Sequence, residues 1–166
     1  MVDIEPPFDL KVPKRRVTVE LALQGSTPRQ VEVFVAEQQA HAVQKEDVLN
    51  LLESEQAFLP AFDLETKTGT LFNKDTVLWV GIQLAEQGGE LEEELFDNRR
   101  SVEVEVVGGT TLQGNFLYTA PSMRARVVDF LNHPGRFVRL WSEERLYLVN
   151  KSYVLRILEL GQSRGA

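Results

Sequence analysis

Residues 47–63 (DVLNLLESEQAFLPAFD) align without a gap with residues 126–142 (RVVDFLNHPGRFVRLWS), and this internal match is the strongest indication of how the chain folds. A second match follows in each half, where residues 70–80 (TLFNKDTVLWV) align with residues 147–157 (YLVNKSYVLRI). Self-similarity at a fixed spacing indicates that one folding unit has been duplicated. The chain of 166 residues is therefore predicted to form two tandem lobes and not one domain.

Each lobe has the sequence pattern of two strands, a helix and three further strands. Apolar residues alternate with polar ones in the first strand of each lobe, which is the pattern of a half-buried strand: Val17, Val19 and Leu21, and Val102, Val104 and Val106. The helices follow at residues 48–52 and 127–131, where the apolar positions fall on one helical face. Asp47 and Ser122 are the expected helix starts, and residues 132–135 (NHPG) the expected stop of the second helix.

These patterns set the predicted boundaries. The lobes span residues 15–83 and 99–161, joined by an acidic linker at residues 84–98, which is either solvated or a short helix. Residues 1–14 form an N-terminal extension and residues 162–166 a tail. Lobes of about 65 residues are close to the size at which one core gives only marginal stability, so we expect the lobes to pack on each other or on a partner.

The composition indicates a soluble protein. The hydrophobic fraction is 43% and the charged fraction 26%, and no apolar run approaches the roughly 18 residues that span a bilayer. The acidic, proline-interrupted start has the reverse order of a signal peptide, so a cytoplasmic location is expected and no membrane partner.

Few residues suit catalysis. Cysteine is absent, which excludes disulfides, thiolate nucleophiles and cysteine zinc sites. His41 and His133 occupy unrelated positions, and no metal-binding spacing or glycine-rich phosphate loop is present. The sequence therefore predicts no catalytic, metal or cofactor site and a non-enzymatic protein. An enzyme would require a deep pocket lined by His133 and several carboxylates.

The last run of each lobe resembles the second motif of Sm-like proteins. Residues 71–80 and 148–157 share its apolar pair, polar two-residue turn and later valine, although Asn-Lys stands where that family has Arg-Gly. Residues 129–132 (DFLN), 137–138 (FV) and 148–151 (LVNK) also resemble an uncharacterised bacterial family of small Sm-like barrel proteins. The resemblance implies a mainly β (α+β) fold: two tandem small Sm/SH3-like barrels packed as a pseudo-dimer. In Sm-like proteins, however, the helix precedes the first strand.

The same resemblance implies a set of contact residues. The turn between the fourth and fifth strands of Sm-like proteins helps to bind RNA, which nominates Asn73, Lys74, Asn150 and Lys151. An amide suits a base edge and an ammonium a phosphate. Turn chemistry is the favoured interpretation of the Asn-Lys pairs, because asparagine tolerates tight turns whether or not anything binds.

Positions that differ between the lobes are further candidates. Trp79 aligns with Arg156, so an aromatic in one lobe is a cation in the other. Trp79 is predicted either to complete the core of its own lobe or to contact the other lobe or a partner. Arg124, Arg126 and Arg156, together with Arg136 and Arg139, are candidates for a basic patch in the second lobe.

Two functions follow from these observations. The leading hypothesis is a non-enzymatic protein-interaction or scaffold module, with another protein as partner, no cofactor, and a higher oligomer left open. The alternative is an RNA- or DNA-binding protein that uses the basic second lobe, although the net charge of −7 argues against it. The acidic linker also has a simpler interpretation, in which it neutralises the second lobe within the molecule.

Overall fold

The computed structural model describes residues 14–36, 44–84, 96–120 and 126–161. The first lobe contains β1 (Lys14–Leu23), β2 (Arg29–Ala36), α1 (Gln44–Glu53), β3 (Phe58–Asp63), β4 (Thr68–Asn73) and β5 (Val77–Gln83). The second lobe contains β6 (Asn98–Val106), β7 (Thr110–Tyr118), α2 (Val127–Leu131), β8 (Phe137–Trp141), β9 (Arg145–Asn150) and β10 (Val154–Glu159). The prediction of a mainly β chain is confirmed, and both halves have the same order of elements.

All ten strands belong to one antiparallel sheet, in the order β10-β6-β7-β8-β9-β5-β1-β2-β3-β4. Within each lobe the order is the same: fifth, first, second, third and fourth strand. The lobes are joined where β5 pairs with β9, from Trp79 opposite Val149 to Gln83 opposite Arg145. We call this pairing the junction. Because it joins a fifth strand to a fourth strand, the lobes meet head to tail, as in a heterologous interface.

The hydrophobic core is shared between the lobes. One buried cluster contains Val17, Val33 and Leu52 of the first lobe together with Phe137 and Leu148 of the second. The other cluster, centred on the second lobe, includes Leu78 and Trp79 of β5. Because residues of both lobes line both clusters, separating the lobes would expose apolar surface in each of them.

The first helix differs from its predicted start at Asp47. The first begins at Gln44, three residues before Asp47, and the second begins at Val127 after Arg126, whose side chain makes no capping hydrogen bond. The predicted stop is confirmed, because α2 ends at Leu131 and Gly135 adopts the left-handed φ of 120° that suits glycine.

Several predictions fall outside the described residues. These are the N-terminal extension and tail, most of the acidic linker, the helix start at Ser122, and the candidates His41 and Arg124. Among the described residues, no helix has the length and apolar character needed to cross a bilayer.

Candidate functional site

The two Asn-Lys pairs form the same local structure. The side-chain Oδ1 of Asn73 accepts a hydrogen bond from the backbone N–H of Asp75 at 2.9 Å, and that of Asn150 accepts one from Ser152 at 3.0 Å. Each asparagine thereby begins a short 3₁₀ turn that leads into the last strand of its lobe. This side-chain-to-backbone bond gives a structural reason for the recurrence of asparagine at these turns.

The paired lysines point back into their own lobes. Lys74 is buried, and its Nζ donates to Oγ of Ser54 at 2.6 Å, directly after α1. Nζ of Lys151 donates to the carbonyl oxygens of Leu131 (3.1 Å) and His133 (2.7 Å) at the end of α2. Lysine near a helix C-terminus satisfies carbonyls that lack an intrahelical partner and complements the helix dipole.

The charge of Lys74 is disfavoured by its surroundings. Burial lowers the pKa of the ammonium, and the positive charge of Arg136 lowers it further, while Glu53 opposes both effects. A buried ammonium whose hydrogen bond is made within its own lobe is poorly placed to meet a phosphate.

Trp79 lies at the junction. Its ring packs edge-on against Tyr147 of the second lobe, with ring centroids 5.3 Å apart and an interplanar angle of 87°. A Cβ at Gly81 would approach Cζ3 of Trp79 at 3.3 Å and Cε1 of Tyr147 at 3.4 Å, so the glycine leaves room for the aromatic pair. Trp79 is buried among residues of the second lobe, and no described residue accepts a hydrogen bond from its indole N–H. Trp79 therefore contributes to the contact between the two lobes.

Polar contacts border the junction. The amide Nδ2 of Asn150 donates to the carbonyl of Val77 at 2.9 Å, and the backbone N–H of Leu84 donates to the carbonyl of Glu144 at 2.9 Å. Arg145 forms an ion pair with Glu20 of the first lobe. These bonds fix the register in which β5 and β9 pair, because each joins one particular residue of the first lobe to one of the second.

Three of the arginine candidates are paired with carboxylates. Nε of Arg126 lies 3.1 Å from Asp129, and Arg156 forms an ion pair with Glu105. Arg136 lies 2.5 Å from Asp75, across the junction. Local carboxylates therefore offset the positive charge of these three side chains.

The sheet ends in two different strands, and among the described residues neither has a partner on its outer side. We call β4 with the adjacent Phe58 the β4 edge, and β10 the β10 edge. Phe58 is 51% exposed, whereas its equivalent Phe137 is 6% exposed; Leu71 is 60% exposed, whereas its equivalent Leu148 is fully buried. On the other edge, Leu155 is 60% exposed and its equivalent Leu78 is 7% exposed. The junction covers one member of each pair.

Sequence reasoning missed Phe58, Leu71 and Leu155. Each occupies a position that is also apolar in the other lobe, so the sequence alone does not distinguish it from a residue of the core. A sheet made from two units has two end strands, and some residues at those ends are exposed. Identifying the end strands requires the strand order, which the sequence does not give.

A hollow of about 460 Å³ beside α2 contains His133. Tyr118 and Phe130 stack in its wall with centroids 4.5 Å apart, and burial raises the pKa of the Tyr118 hydroxyl. Asp129 is the one carboxylate among the described lining residues, and it is paired with Arg126. Among the described residues, no group of three histidine, aspartate or glutamate side chains could hold a metal ion. The arrangement that the enzyme hypothesis requires, with several carboxylates near His133, is not found in this hollow.

Comparison of the chain with protein-family models, curated proteins and solved structures finds no match. The contact surfaces of the chain must therefore be interpreted from their own geometry.

Proposed function

We propose that this protein is a non-enzymatic interaction module, a scaffold made of two tandem Sm/SH3-like barrel units, whose contact site is the β4 edge. The observation that supports it is the contrast between Phe58 and Leu71, which are exposed, and Phe137 and Leu148, which the junction buries. The β4 edge of the first lobe is thus the equivalent of the surface on which the second lobe binds β5.

Strand addition is the binding mode that fits this surface. An unpaired edge strand offers a row of backbone donors and acceptors, and a further strand that pairs with it gains main-chain hydrogen bonds. β4 (TGTLFN) carries no charged side chain, and Phe58 and Leu71 supply apolar anchors beside it. Charges are one of the usual means by which proteins prevent such pairing, and β4 lacks them.

A peptide-binding experiment tests the proposal. The sequence of β5 (VLWVGIQ), flanked by lysines for solubility and labelled with a fluorophore, should bind because β5 already pairs with the equivalent strand β9. Binding is measured by fluorescence anisotropy, and amide hydrogen exchange should show new protection in β4.

Two variants make this test specific. Leu71→Lys should weaken peptide binding by about tenfold or more, since burying the leucine side chain contributes about 1.5–3 kcal/mol. Val128→Lys replaces an aliphatic residue of similar exposure on α2 and should leave binding unchanged. Absence of binding, or equal binding by both variants, would contradict the proposal.

Nucleic-acid binding is the alternative, and the net basic charge of the second lobe favours it. The lysines of both Asn-Lys pairs are held by their own lobes, and Arg126, Arg136 and Arg156 are paired with carboxylates. Filter binding with mixed RNA and DNA at low salt separates the two functions. Binding that weakens steeply with salt would favour the alternative, because neutralised phosphates release counterions.

A further inference from the structure

Resting on the proposed function, we propose that the strand added to the β4 edge is β10 of a second copy of this chain. Successive copies would then join head to tail through a repeat of the junction. The junction pairs the fifth strand of one lobe with the fourth strand of the next. The two ends of the sheet are the remaining fourth strand, β4, and the remaining fifth strand, β10.

The alignment of the lobes gives the register of this pairing. In the junction, Val80 lies opposite Leu148 and Trp79 opposite Val149. The equivalent positions place Ile157 opposite Leu71 of the neighbouring copy, and Arg156 opposite its Phe72. Continued along the strands, the register brings Leu158 opposite Thr70 and Glu159 opposite Gly69.

The pairing would cover exposed apolar residues on both edges of the sheet. Phe137 packs into the cluster that contains the first lobe's core, and Leu78 packs into the cluster of the second lobe. Phe58 and Leu155 are their equivalents on the two edges, and both are exposed. One contact between copies would bury both side chains, each in the position that its equivalent holds in the junction.

A polar contact is also available. Nδ2 of Asn150 donates across the junction to the carbonyl of Val77. Asn73 holds the same turn with its Oδ1, and no described residue accepts a hydrogen bond from its Nδ2. In the repeated junction this amide would donate to the carbonyl of Val154, which is the equivalent of Val77.

Differences in both strands make the contact between copies weaker than the junction. Arg156 and Glu159 stand where β5 has Trp79 and Ile82, and Thr70 stands where β9 has Tyr147. The aromatic pair of the junction is therefore absent, and a carboxylate replaces a buried aliphatic side chain. The lobes of one chain are also covalently linked, whereas separate copies must meet by diffusion. We therefore expect reversible association that depends on protein concentration.

Two complementary variants test the proposal by sedimentation velocity over a range of concentrations. The wild-type protein should associate beyond a dimer, because a heterologous contact leaves one edge of each kind open until a ring closes. Leu71→Lys blocks the β4 edge and Leu155→Lys the β10 edge, so each variant alone should remain monomeric. An equimolar mixture should form a dimer and nothing larger, since its only open edges pair with each other.

Val128→Lys is the matched control and should associate like the wild type, and thermal unfolding establishes that all variants are folded.

A wild-type protein that stays monomeric at the highest concentration would overturn the inference. So would dimers of Leu155→Lys alone, which would show two β4 edges paired with each other. If the labelled β5 peptide binds the β4 edge of a monomeric wild type, the proposed function stands with a different protein as partner. If the peptide also fails to bind, both proposals fail.

Discussion

Asp63 shows how one buried carboxylate is kept charged in this fold. It accepts a hydrogen bond from Nη1 of Arg29 at 2.6 Å and another from the backbone N–H of Glu65 at 2.9 Å. Burial by itself would raise the pKa of Asp63, but these hydrogen bonds, the N–H of Thr66 and the charge of Arg29 together hold it below the ordinary value of 3.8.

The lowered pKa of Asp63 has a consequence for stability. A carboxyl with a depressed folded-state pKa stabilises the fold above pH 3.8, and this contribution is lost as pH falls through the lower folded-state value. Asp63→Asn should lower the free energy of unfolding at neutral pH by about 2 kcal/mol, because a charged hydrogen-bond acceptor is lost. Urea unfolding at a series of pH values should also show that the free energy of unfolding of the variant decreases less steeply as the pH falls. An unchanged slope would assign the acid sensitivity to other groups.

Lys151 is the residue on which the structural and nucleic-acid interpretations differ most directly. Lys151→Met should lower the free energy of unfolding by about 1 kcal/mol, because two carbonyls at the end of α2 lose their donor. The exposed Lys67 provides the control, and Lys67→Met should leave stability nearly unchanged. Denaturant unfolding measures both. Equal stabilities would mean that water replaces the Lys151 ammonium without cost.

The turn role of Asn73 and Asn150 agrees with what the sequence predicts, but the positions of the lysines do not follow from it. Lys74 reaches Ser54, and Lys151 reaches Leu131, each 20 residues earlier in the chain. Contacts at that separation depend on how the helix packs under the strands, which no local pattern contains. The same limit applies to Trp79, because its partner Tyr147 lies in the other lobe.

Among the strands, β7 and β8 are in close contact at Gly114. A Cβ there would lie 2.6 Å from the carbonyl oxygen of Trp141, so the backbone itself would have to move. Gly114→Ala should lower the free energy of unfolding by about 2 kcal/mol, in the range of other overpacked sites. Gly81→Ala should cost less, because its nearest atoms are side-chain atoms at 3.3 Å and 3.4 Å. Thermal unfolding of both variants checks this order, and the reverse order would contradict it.

The order of elements within each lobe was predictable because alternating and helical patterns are local. The pairing of β5 with β9 was not, since both strands are apolar and the sequence does not say which edges meet. The exposure of Phe58 was hidden for the same reason. Phe58 is exposed, whereas its equivalent Phe137 is buried. Only the order of the strands in the sheet distinguishes the two positions.

At the scale of the whole molecule, the shared clusters predict one cooperative unfolding transition. Phe137 and Leu148 pack with the first lobe's core, and Trp79 packs with the second's. In calorimetry, the measured enthalpy of the intact chain should equal the van't Hoff enthalpy, which is the test of two-state unfolding. Two resolved transitions would mean that the lobes are stable independently, and that the junction contributes little to either.

The head-to-tail junction also gives the chain a polarity. A two-fold pair of lobes would present two identical ends, whereas this sheet begins at a fourth strand and finishes at a fifth. If copies join as proposed, any open assembly would have chemically distinct ends that can grow or be capped separately. A chain with one damaged edge would then cap only the end that its intact edge can join, and the other end would stay open to further intact copies.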